Sequence, residues 1–348
     1  MAYENSTCSY FYKSDATLFL LIYGMVVIVG LLGNLSALVV IIWQIKCKNI
    51  LAVYLASLSV SDLLTIFILP IEIINRTSKG LYFGELGCTI TAAFFNINVY
   101  ATMTFLSCIA MDRFVATVFP LQSRSLRSMK VAVLVSALIW LLVLLLCLHP
   151  LHLVQNKLYN SSQNCSNTHQ MDKWTAHLNY FRIFVAFLVP FLLLVFSYCS
   201  IIRVIRRSPS LPREQKCKIT GLLLAMTVIF IICYLPYHLL LFVYSYFSGG
   251  GADGCQTECS ICLAYQISFT LTSLSSALDP FLNIFISKSI KQDLLQALRA
   301  IHLSSRMLVN PDETLRPHNL ETTCQEPASR YVPPEALKSD QGKGGLSP

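Results

Sequence analysis

The chain has 348 residues, of which 55% are hydrophobic and only 13% are charged, and its formal net charge is +8. An average soluble domain carries roughly a quarter charged residues, so this composition, with a mean hydropathy of +0.59, excludes an ordinary soluble enzyme. In a membrane protein the basic residues report which side of the membrane a loop faces, so the positive charge does not indicate nucleic-acid binding.

Long apolar blocks follow one another along the chain. A bilayer core of about 30 Å requires about 20 apolar residues in each helix that crosses it, and every block is long enough. The blocks cover 17–43, 50–74, 88–118, 130–150, 177–206, 218–247 and 261–286. The sequence therefore predicts an all-α fold, a seven-transmembrane helix bundle.

The remaining segments complete the predicted domain organisation. Residues 1–16 form a short N-terminal segment, and residues 17–302 form the membrane domain. The last part of that domain, 288–302, has the pattern of a short amphipathic helix lying on the inner leaflet, in contact with membrane lipids. Residues 303–348 are rich in proline, glycine and charge, which predicts a disordered tail.

The basic residues predict the orientation of the bundle. Those near the predicted spans concentrate on one side, in 46–48, 124–130, 203–218 and 288–306, which is therefore cytoplasmic. The N-terminus is then extracellular and the protein lies in the plasma membrane. The glycosylation sequons on the outer side agree with this orientation, with the first two of the following favoured: Asn5, Asn160, Asn164 and Asn75.

The outer side is oxidising, so cysteines placed there are expected to form disulfides. A bridge between Cys88, which opens the third span, and Cys165 would pin the loop between spans four and five over the bundle. Cys8 is expected to pair with either Cys255 or Cys259, and the spacing does not decide between them. A metal site at these last cysteines is not expected, because no histidine lies close by.

Polar residues inside spans are costly, so each is a candidate for function. Asn34, Asp62 and Asp279 lie on spans one, two and seven at compatible depth. Their oxygen atoms would suit a hard cation, which predicts an allosteric sodium ion as the one possible cofactor. A hydrogen-bonded packing core that contains water explains the same three residues nearly as well.

Landmark residues occur in order along the spans and resemble the rhodopsin-class (class A) G-protein-coupled receptors. They are Gly33, Asn34, Asp62, Cys88, Asp112, Arg113, Phe114, Trp140, Pro190, Tyr198, Phe230, Pro236, Asp279 and Pro280. Within that class the segments 83–88, 98–101, 112–116, 236–238 and 279–281 resemble the cluster of protease-activated, purinergic nucleotide and proton-sensing receptors. The resemblance covers about 17–302.

The resemblance implies a function and partners. A ligand would bind between the outer halves of the helices, span six would swing outward, and a heterotrimeric G protein would bind in the cytoplasmic cleft, with arrestin as a further partner. The residues implied in G-protein coupling and in the activation switch are Asp112, Arg113, Tyr198, Tyr234, Pro236, Asp279, Pro280 and Asn283.

Several residues depart from the family pattern. Asn283 stands where the last-span motif usually ends in tyrosine, and Tyr234 stands where tryptophan usually precedes the span-six proline. Lys216 and Lys218 occupy the base of span six, where an acid often faces the arginine of span three. Like charges repel, so raised basal signalling is expected. The short N-terminal segment makes a tethered agonist doubtful.

The sequence restricts the ligand mainly by excluding two classes of molecule, amines and retinal. The outer part of span three has no carboxylate for an amine, and span seven has no lysine for retinal, which excludes an opsin. Arg182 could pair with an anionic group of a lipid or nucleotide, or could equally be an interfacial anchor; a peptide ligand also remains open. The pocket residues predicted are Phe95, Asn96, Val99, Tyr100, Arg182, Tyr237, His238 and Tyr265.

Other functional classes fit less well. A membrane enzyme would need a nucleophile with a base, or a metal cluster, inside the bilayer, and no such cluster is evident. A transporter would often show repeated halves. A non-signalling decoy or scavenging receptor with the same fold is the serious alternative, because Tyr234 and Asn283 alter switch positions.

Overall fold

The computed structural model describes residues 6–77, 84–120, 122–123, 127–158, 173–207, 212–247 and 255–282. Only the backbone is described at 6–17, 75–77, 84–89, 148–158, 173–175, 215, 247, 255–263 and 265. Within these ranges the chain is almost entirely helical and contains no strand.

Four uninterrupted helices come first: α1 Ser6–Lys46, α2 Leu51–Thr77, α3 Gly84–Val118 and α4 Met129–Leu158. Helix α5 has three consecutive parts, α-helical Lys173–Phe181, π-helical Arg182–Leu188 and α-helical Val189–Arg207. Helix α6 is built the same way from Arg213–Ile229, Phe230–Tyr234 and Leu235–Phe247. Helix α7 comprises Cys255–Leu278 and a 3-10 turn, Asp279–Phe281.

The predicted seven-helix bundle is confirmed. Six of the described helices are long and apolar enough to cross a membrane: Leu18–Lys46, Leu51–Ile74, Ile90–Val118, Met129–Cys147, Ala176–Arg207 and Lys216–Tyr246. Helix α7 carries many hydroxyl side chains, which face the interior rather than lipid. The helices extend past several predicted boundaries. In particular, α1 begins at Ser6 rather than at 17, although its membrane-spanning part begins at Leu18.

The helices pack around α3. Helix α3 contacts α2, α4, α5 and α6, while α1 packs between α2 and α7. Large side chains such as Tyr23, Phe105 and Phe230 are fully buried in the resulting core. Apolar side chains such as Leu21 on α1 and Leu141 on α4 are more than half exposed on the outside of the bundle. Lipid chains would cover such an apolar surface in a bilayer.

The breaks in α5 and α6 coincide with prolines. Each π-helical part ends shortly before a proline, Pro190 in α5 and Pro236 in α6. Proline cannot donate a backbone hydrogen bond, and π-turns commonly accommodate such interruptions. Neighbouring side chains then bind carbonyl groups in or beside the breaks: Ser107 of α3 donates to the carbonyl of Pro190 at 2.8 Å, and Thr272 of α7 donates to that of Cys233 at 2.8 Å.

Helix α1 approaches α7 very closely at one glycine. A Cβ atom placed on Gly33 would lie 3.0 Å from Cγ and 3.2 Å from Cβ of Pro280. The pyrrolidine ring is rigid, so it cannot turn aside as a flexible side chain would. The absence of a side chain at Gly33 therefore allows α1 to pack against the turn that contains Asp279.

Replacing Gly33 by alanine is expected to destabilise the bundle. Overpacking in a well-packed core typically costs about 1–3 kcal/mol, so Gly33→Ala should lower the midpoint of thermal unfolding of the purified protein in detergent. Gly24→Ala is the matched control, since a Cβ at Gly24 meets nothing within 4 Å. Equal midpoints for the two variants would contradict the close packing of α1 on Pro280.

Candidate functional site

A polar cluster lies inside the bundle at the level of Asp62. The side chain of Asp62 on α2 is fully buried, and its Oδ1 atom accepts a hydrogen bond from Nδ2 of Asn98 on α3 at 3.2 Å. The same amide group lies 3.3 Å from the hydroxyl of Ser61 and 3.4 Å from that of Thr102. Ser276 of α7 lies beside the Asp62 carboxyl group. Three helices thus converge on one buried carboxyl group.

The other two intramembrane polar residues predicted from the sequence join α1 and α7 to this region. Nδ2 of Asn34 donates to the carbonyl of Ser276 at 2.8 Å and to that of Gly30 at 3.0 Å. Asp279 is buried in the 3-10 turn of α7, against which α2 packs, and neither of its carboxyl oxygens has a hydrogen-bond partner. The structure therefore gathers all three predicted residues around the interface of α1, α2 and α7.

Oxygen atoms dominate this polar cluster. Besides the two of Asp279, the side-chain oxygens of Asn34 and Asn98 are buried without a hydrogen-bond partner. Within the described ranges, no three His, Cys, Asp or Glu side chains group closely enough to hold a metal ion. A bound cation would accordingly need amide and hydroxyl oxygens in addition to the two carboxyl groups, and such oxygen ligands suit hard cations.

Helices α6 and α7 are tied together just outside this cluster. The hydroxyl of Tyr234 shares a 2.7 Å hydrogen bond with that of Ser275, and both side chains are fully buried. Tyr234 is the last residue of the π-helical part of α6. Tyr234, which stands where the family usually has tryptophan, therefore links the break in α6 directly to α7.

The predicted switch pair lies at the C-terminal end of α3, which the sequence predicts to be cytoplasmic. Oδ2 of Asp112 accepts hydrogen bonds from Nη2 of Arg113 at 2.6 Å and from its Nε at 3.1 Å. A second arginine, Arg127, donates to Oδ1 of Asp112 from Nε at 2.7 Å and to Oδ2 from Nη2 at 3.1 Å. The carboxyl group of Asp112 thus binds two guanidinium groups at once.

The base of α6 presents charge of both signs. Nζ of Lys218 lies 2.9 Å from Oε1 of Glu214, and the Glu214 side chain is 79% exposed. The hydrogen bond from Lys218 and its positive charge hold the pKa of Glu214 below its usual range. Glu214 is therefore paired within its own helix.

Tyr198, a further predicted switch residue, is half-buried on α5 and packs against the core.

Four of the eight predicted pocket residues belong to an aromatic cluster between α3, α5, α6 and α7: Phe95, Tyr100, Tyr237 and His238. Phe95 stacks on Phe269 at a centroid distance of 4.3 Å and meets Tyr237 edge-on at 5.3 Å. The hydroxyl of Tyr237 donates to Oδ1 of Asn96 at 3.3 Å. Val99 and Tyr100 are buried on the same helix as Phe95.

His238 lies at the inner side of this aromatic cluster. Its ring stacks on Phe187 at 4.5 Å and faces Tyr100 at 6.4 Å. Nδ1 lies 2.8 Å from the carbonyl of Tyr234, and a carbonyl can only accept, so Nδ1 carries the proton in this arrangement. Nε2 is buried and has no hydrogen-bond partner.

Among the described residues, Arg182 binds α4 and its own helix rather than the aromatic cluster. It is 7% exposed and lies in the π-helical part of α5. Nη2 donates to the carbonyl of Leu146 on α4 at 3.0 Å, Nη1 lies 3.5 Å from Oδ1 of Asn179, and Nε has no partner. This burial differs from that of an interfacial anchor, which would extend its charge to water.

Several predicted residues fall outside the described part of the structure. The backbone alone is described for Cys8, Asn75, Cys88, Cys255, Cys259 and Tyr265, while Asn5, Asn160, Asn164, Cys165 and Asn283 lie outside the described ranges altogether. The disulfides, the glycosylation sites, the 288–302 helix and the tail therefore stay predictions.

Sequence reasoning missed several residues that the structure places in these sites, among them Ser276, Phe269, Asn98 and Arg127. Asn98 contacts Asp62, and its signal was an amide inside a span, the same feature that identified Asn34. Arg127 contacts Asp112, but from the sequence it was one of many basic residues on the predicted cytoplasmic side. Only the fold reveals which of those basic residues meets a carboxyl group.

Comparison with known proteins agrees with this geometry. A family model described as "7 transmembrane receptor (rhodopsin family)" matches residues 33–282. The chain is 33% identical to human "G-protein coupled receptor 68" over 296 residues, which is 84% of this chain and 79% of that relative. It is 32% identical to the rat "Uracil nucleotide/cysteinyl leukotriene receptor" over 282 residues, 81% of this chain and 83% of the relative.

A third relative, human "Lysophosphatidic acid receptor 4", is 29% identical over 300 residues, covering 84% of this chain and 80% of the relative. These relatives place the chain near the nucleotide and proton-sensing receptors, as its motifs predicted. The family consists of receptors rather than enzymes, and its members span the plasma membrane several times. The helix bundle, the Asp112–Arg113 pair and the extent of the match together show that this chain belongs to the rhodopsin family of seven-transmembrane receptors.

Proposed function

We propose that this chain is a ligand-activated receptor of the plasma membrane that has an extracellular N-terminus and activates a heterotrimeric G protein. The observation that carries the proposal is the Asp112–Arg113 pair at the cytoplasmic end of α3, where a 2.6 Å contact holds Arg113 near the bundle surface. Family membership supports it further. Arrestin is proposed as a second cytoplasmic partner.

The proposed mechanism uses the break in α6. Ligand binding near the aromatic cluster favours a state in which the cytoplasmic half of α6 moves outward about Phe230–Tyr234. The ligand supplies free energy for this movement only through its different affinities for the two states. Arg113 then leaves Asp112 and faces the G protein.

A non-signalling decoy receptor is the second candidate function. The observation that favours it is the 2.7 Å hydrogen bond between Tyr234 and Ser275, which joins α6 to α7 beside the proposed point of movement. A decoy would bind ligand with the same outer residues but would activate no G protein.

Nucleotide exchange on G proteins distinguishes the two candidates. In membranes that contain the receptor alone, basal exchange should exceed that of empty membranes, and Arg113→Ala should abolish the excess because it removes the side chain that faces the G protein. Lys130→Gln, which removes an exposed cytoplasmic charge, is the control and should leave exchange unchanged. Ligand binding without exchange on any G-protein class would instead support the decoy.

For the ligand, we propose a molecule with an anionic group that binds Arg182. The support is a buried guanidinium group that contacts no carboxylate among the described residues and whose Nε atom has no partner. Burying a charge without an opposite charge is costly. The 3.5 Å contact with Asn179 is long for a hydrogen bond, so Nη1 can turn toward a bound anion. The names of two relatives include a uracil nucleotide and lysophosphatidic acid, and both of these molecules carry phosphate.

Binding of charged and uncharged probe pairs tests this ligand class. Either uridine diphosphate or lysophosphatidic acid should bind the purified receptor, whereas uridine or a monoacylglycerol should not. Arg182→Gln should weaken the binding about 10- to 100-fold, the range expected for a hydrogen bond to a charged group. Arg182→Lys keeps the charge and should retain part of the affinity. Equal binding by wild type and Arg182→Gln would refute the assignment.

We also propose that a sodium ion binds in the polar cluster. The support is its set of buried oxygen atoms without hydrogen-bond partners, contributed by Asn34, Asn98 and Asp279 beside the carboxyl group of Asp62. Water molecules within the polar cluster would satisfy these oxygens as well. The two possibilities differ in their dependence on the cation.

The midpoint of thermal unfolding, measured in sodium chloride and in choline chloride at equal ionic strength, distinguishes a bound sodium ion from bound water. At a sodium concentration ten times the dissociation constant, the ion should stabilise the receptor by about 1.4 kcal/mol. Asp62→Asn should remove this difference because it removes a charged ligand. Ser36→Ala, on the lipid-facing side of α1, should retain it. No difference between the two salts in the wild type would favour water.

A further inference from the structure

The carboxyl group of Asp112 is shared unequally between its two arginines. Arg127 reaches both oxygens, with Nε at 2.7 Å from Oδ1 and Nη2 at 3.1 Å from Oδ2. Arg113 reaches only Oδ2, from Nη2 and Nε. A guanidinium group that binds both carboxylate oxygens through parallel hydrogen bonds forms the stronger and more directional pair. Arg127 is therefore the better-placed partner.

The backbone holds Arg127 in position independently of that ion pair. Between α3 and α4, the amide of Ser123 donates to the carbonyl of Phe119 at 2.8 Å, and the amide of Arg127 donates to the carbonyl of Ser123 at 2.8 Å. The hydroxyl of Ser123 also donates to the carbonyl of Pro120 at 2.8 Å. These bonds join the backbone of Arg127, just before α4, through Ser123 to Phe119 and Pro120, just after α3, and they do not involve Arg113.

The burial of Asp112 makes its second partner, Arg127, important. The side chain of Asp112 is 6% exposed, whereas Arg113 and Arg127 are 26% and 24% exposed. Removing one partner of a buried ion pair is costly chiefly because it leaves a buried charge unpaired. If Asp112 had Arg113 alone, moving Arg113 toward a G protein would leave the carboxylate without a counter-charge. With Arg127 in place, the carboxylate keeps a bidentate partner.

Helix α6 offers Arg113 no competing carboxylate. Glu214, at the base of α6, pairs with Lys218 of its own helix at 2.9 Å. Among the described residues, Asp112 is the one carboxylate within ion-pair distance of Arg113. The strength of the Asp112–Arg113 contact therefore determines how readily Arg113 is released.

We propose that Arg127 is a positioning residue for G-protein coupling: by retaining Asp112, it lowers the cost of releasing Arg113. This inference rests on the proposed function, since it assigns Arg127 a part in the same switch. In the part of the chain that the structure describes, the side-chain hydrogen bonds of Arg127 go to Asp112. Its removal should hold Arg113 more firmly on Asp112 and reduce signalling.

The test measures basal nucleotide exchange on G proteins by the full-length receptor in membranes, normalised to the amount of receptor at the cell surface. Arg127→Gln should reduce basal exchange about 5- to 30-fold, the change that a modest shift of a two-state equilibrium produces. Arg127→Lys, which keeps the charge but cannot bind both oxygens in parallel, should give an intermediate value. Lys130→Gln, the exposed neighbour on α4, should match the wild type.

A second test, in the Asp112→Asn variant, distinguishes a positioning role of Arg127 from a merely structural one. In Asp112→Asn, which removes the charge that Arg127 binds, the further change Arg127→Gln should have no effect on exchange. An equal reduction in both backgrounds, or unchanged exchange in Arg127→Gln alone, would overturn the inference while leaving the proposed function intact. Wild-type exchange equal to that of empty membranes for every G-protein class would overturn both.

Discussion

The need to bind every backbone carbonyl inside a bilayer governs how this bundle is joined together. Lipid offers no hydrogen bonds, so interruptions of a membrane helix are tolerated only where neighbouring groups bind the freed backbone. Helices α5 and α6 are both interrupted ahead of prolines, and hydroxyls of α3 and α7 bind carbonyls there. The imidazole of His238 binds a third, that of Tyr234. The places where these helices can bend are therefore also the places where they are tied to their neighbours.

This coupling relates the two ends of the receptor. The break in α6 lies between the aromatic cluster, which includes His238, and the polar cluster around Asp62. Tyr234 belongs to the break and binds Ser275 of α7, four residues before Asp279. A change of packing around His238 can reach α7 through this hydrogen bond and through that of Thr272 with the carbonyl of Cys233. Signals in such a bundle need a chain of elements with two arrangements, and Tyr234 is well placed to be one of them.

The extent to which the sequence predicted these features depended on how local each signal was. Asp62 and Asp279 were identified because a carboxyl group within an apolar span stands out from its neighbours. The pairing of Asn98 with Asp62 depends on how α3 is rotated against α2, which a single span does not reveal. The same holds for Arg127, because the rule that places basic residues on the cytoplasmic side treats them as a group. A proline follows each interruption of α5 and α6, but a proline alone does not specify that the interruption takes the form of a π-turn.

The π-turn in α6 also sets the rotational phase of everything that follows it. Each residue of an α-helix turns the chain by about 100°, and a π-turn accommodates additional chain length within the same helix. Beyond the turn, His238 faces the interior at 1% exposure while its neighbour Leu239 faces outward at 55%. A change that closed this π-turn into regular α-helix without removing a residue would rotate the outer half of α6 by about 100° and turn His238 out of the core. The face that the outer half of α6 turns toward lipid thus depends on one short irregular segment.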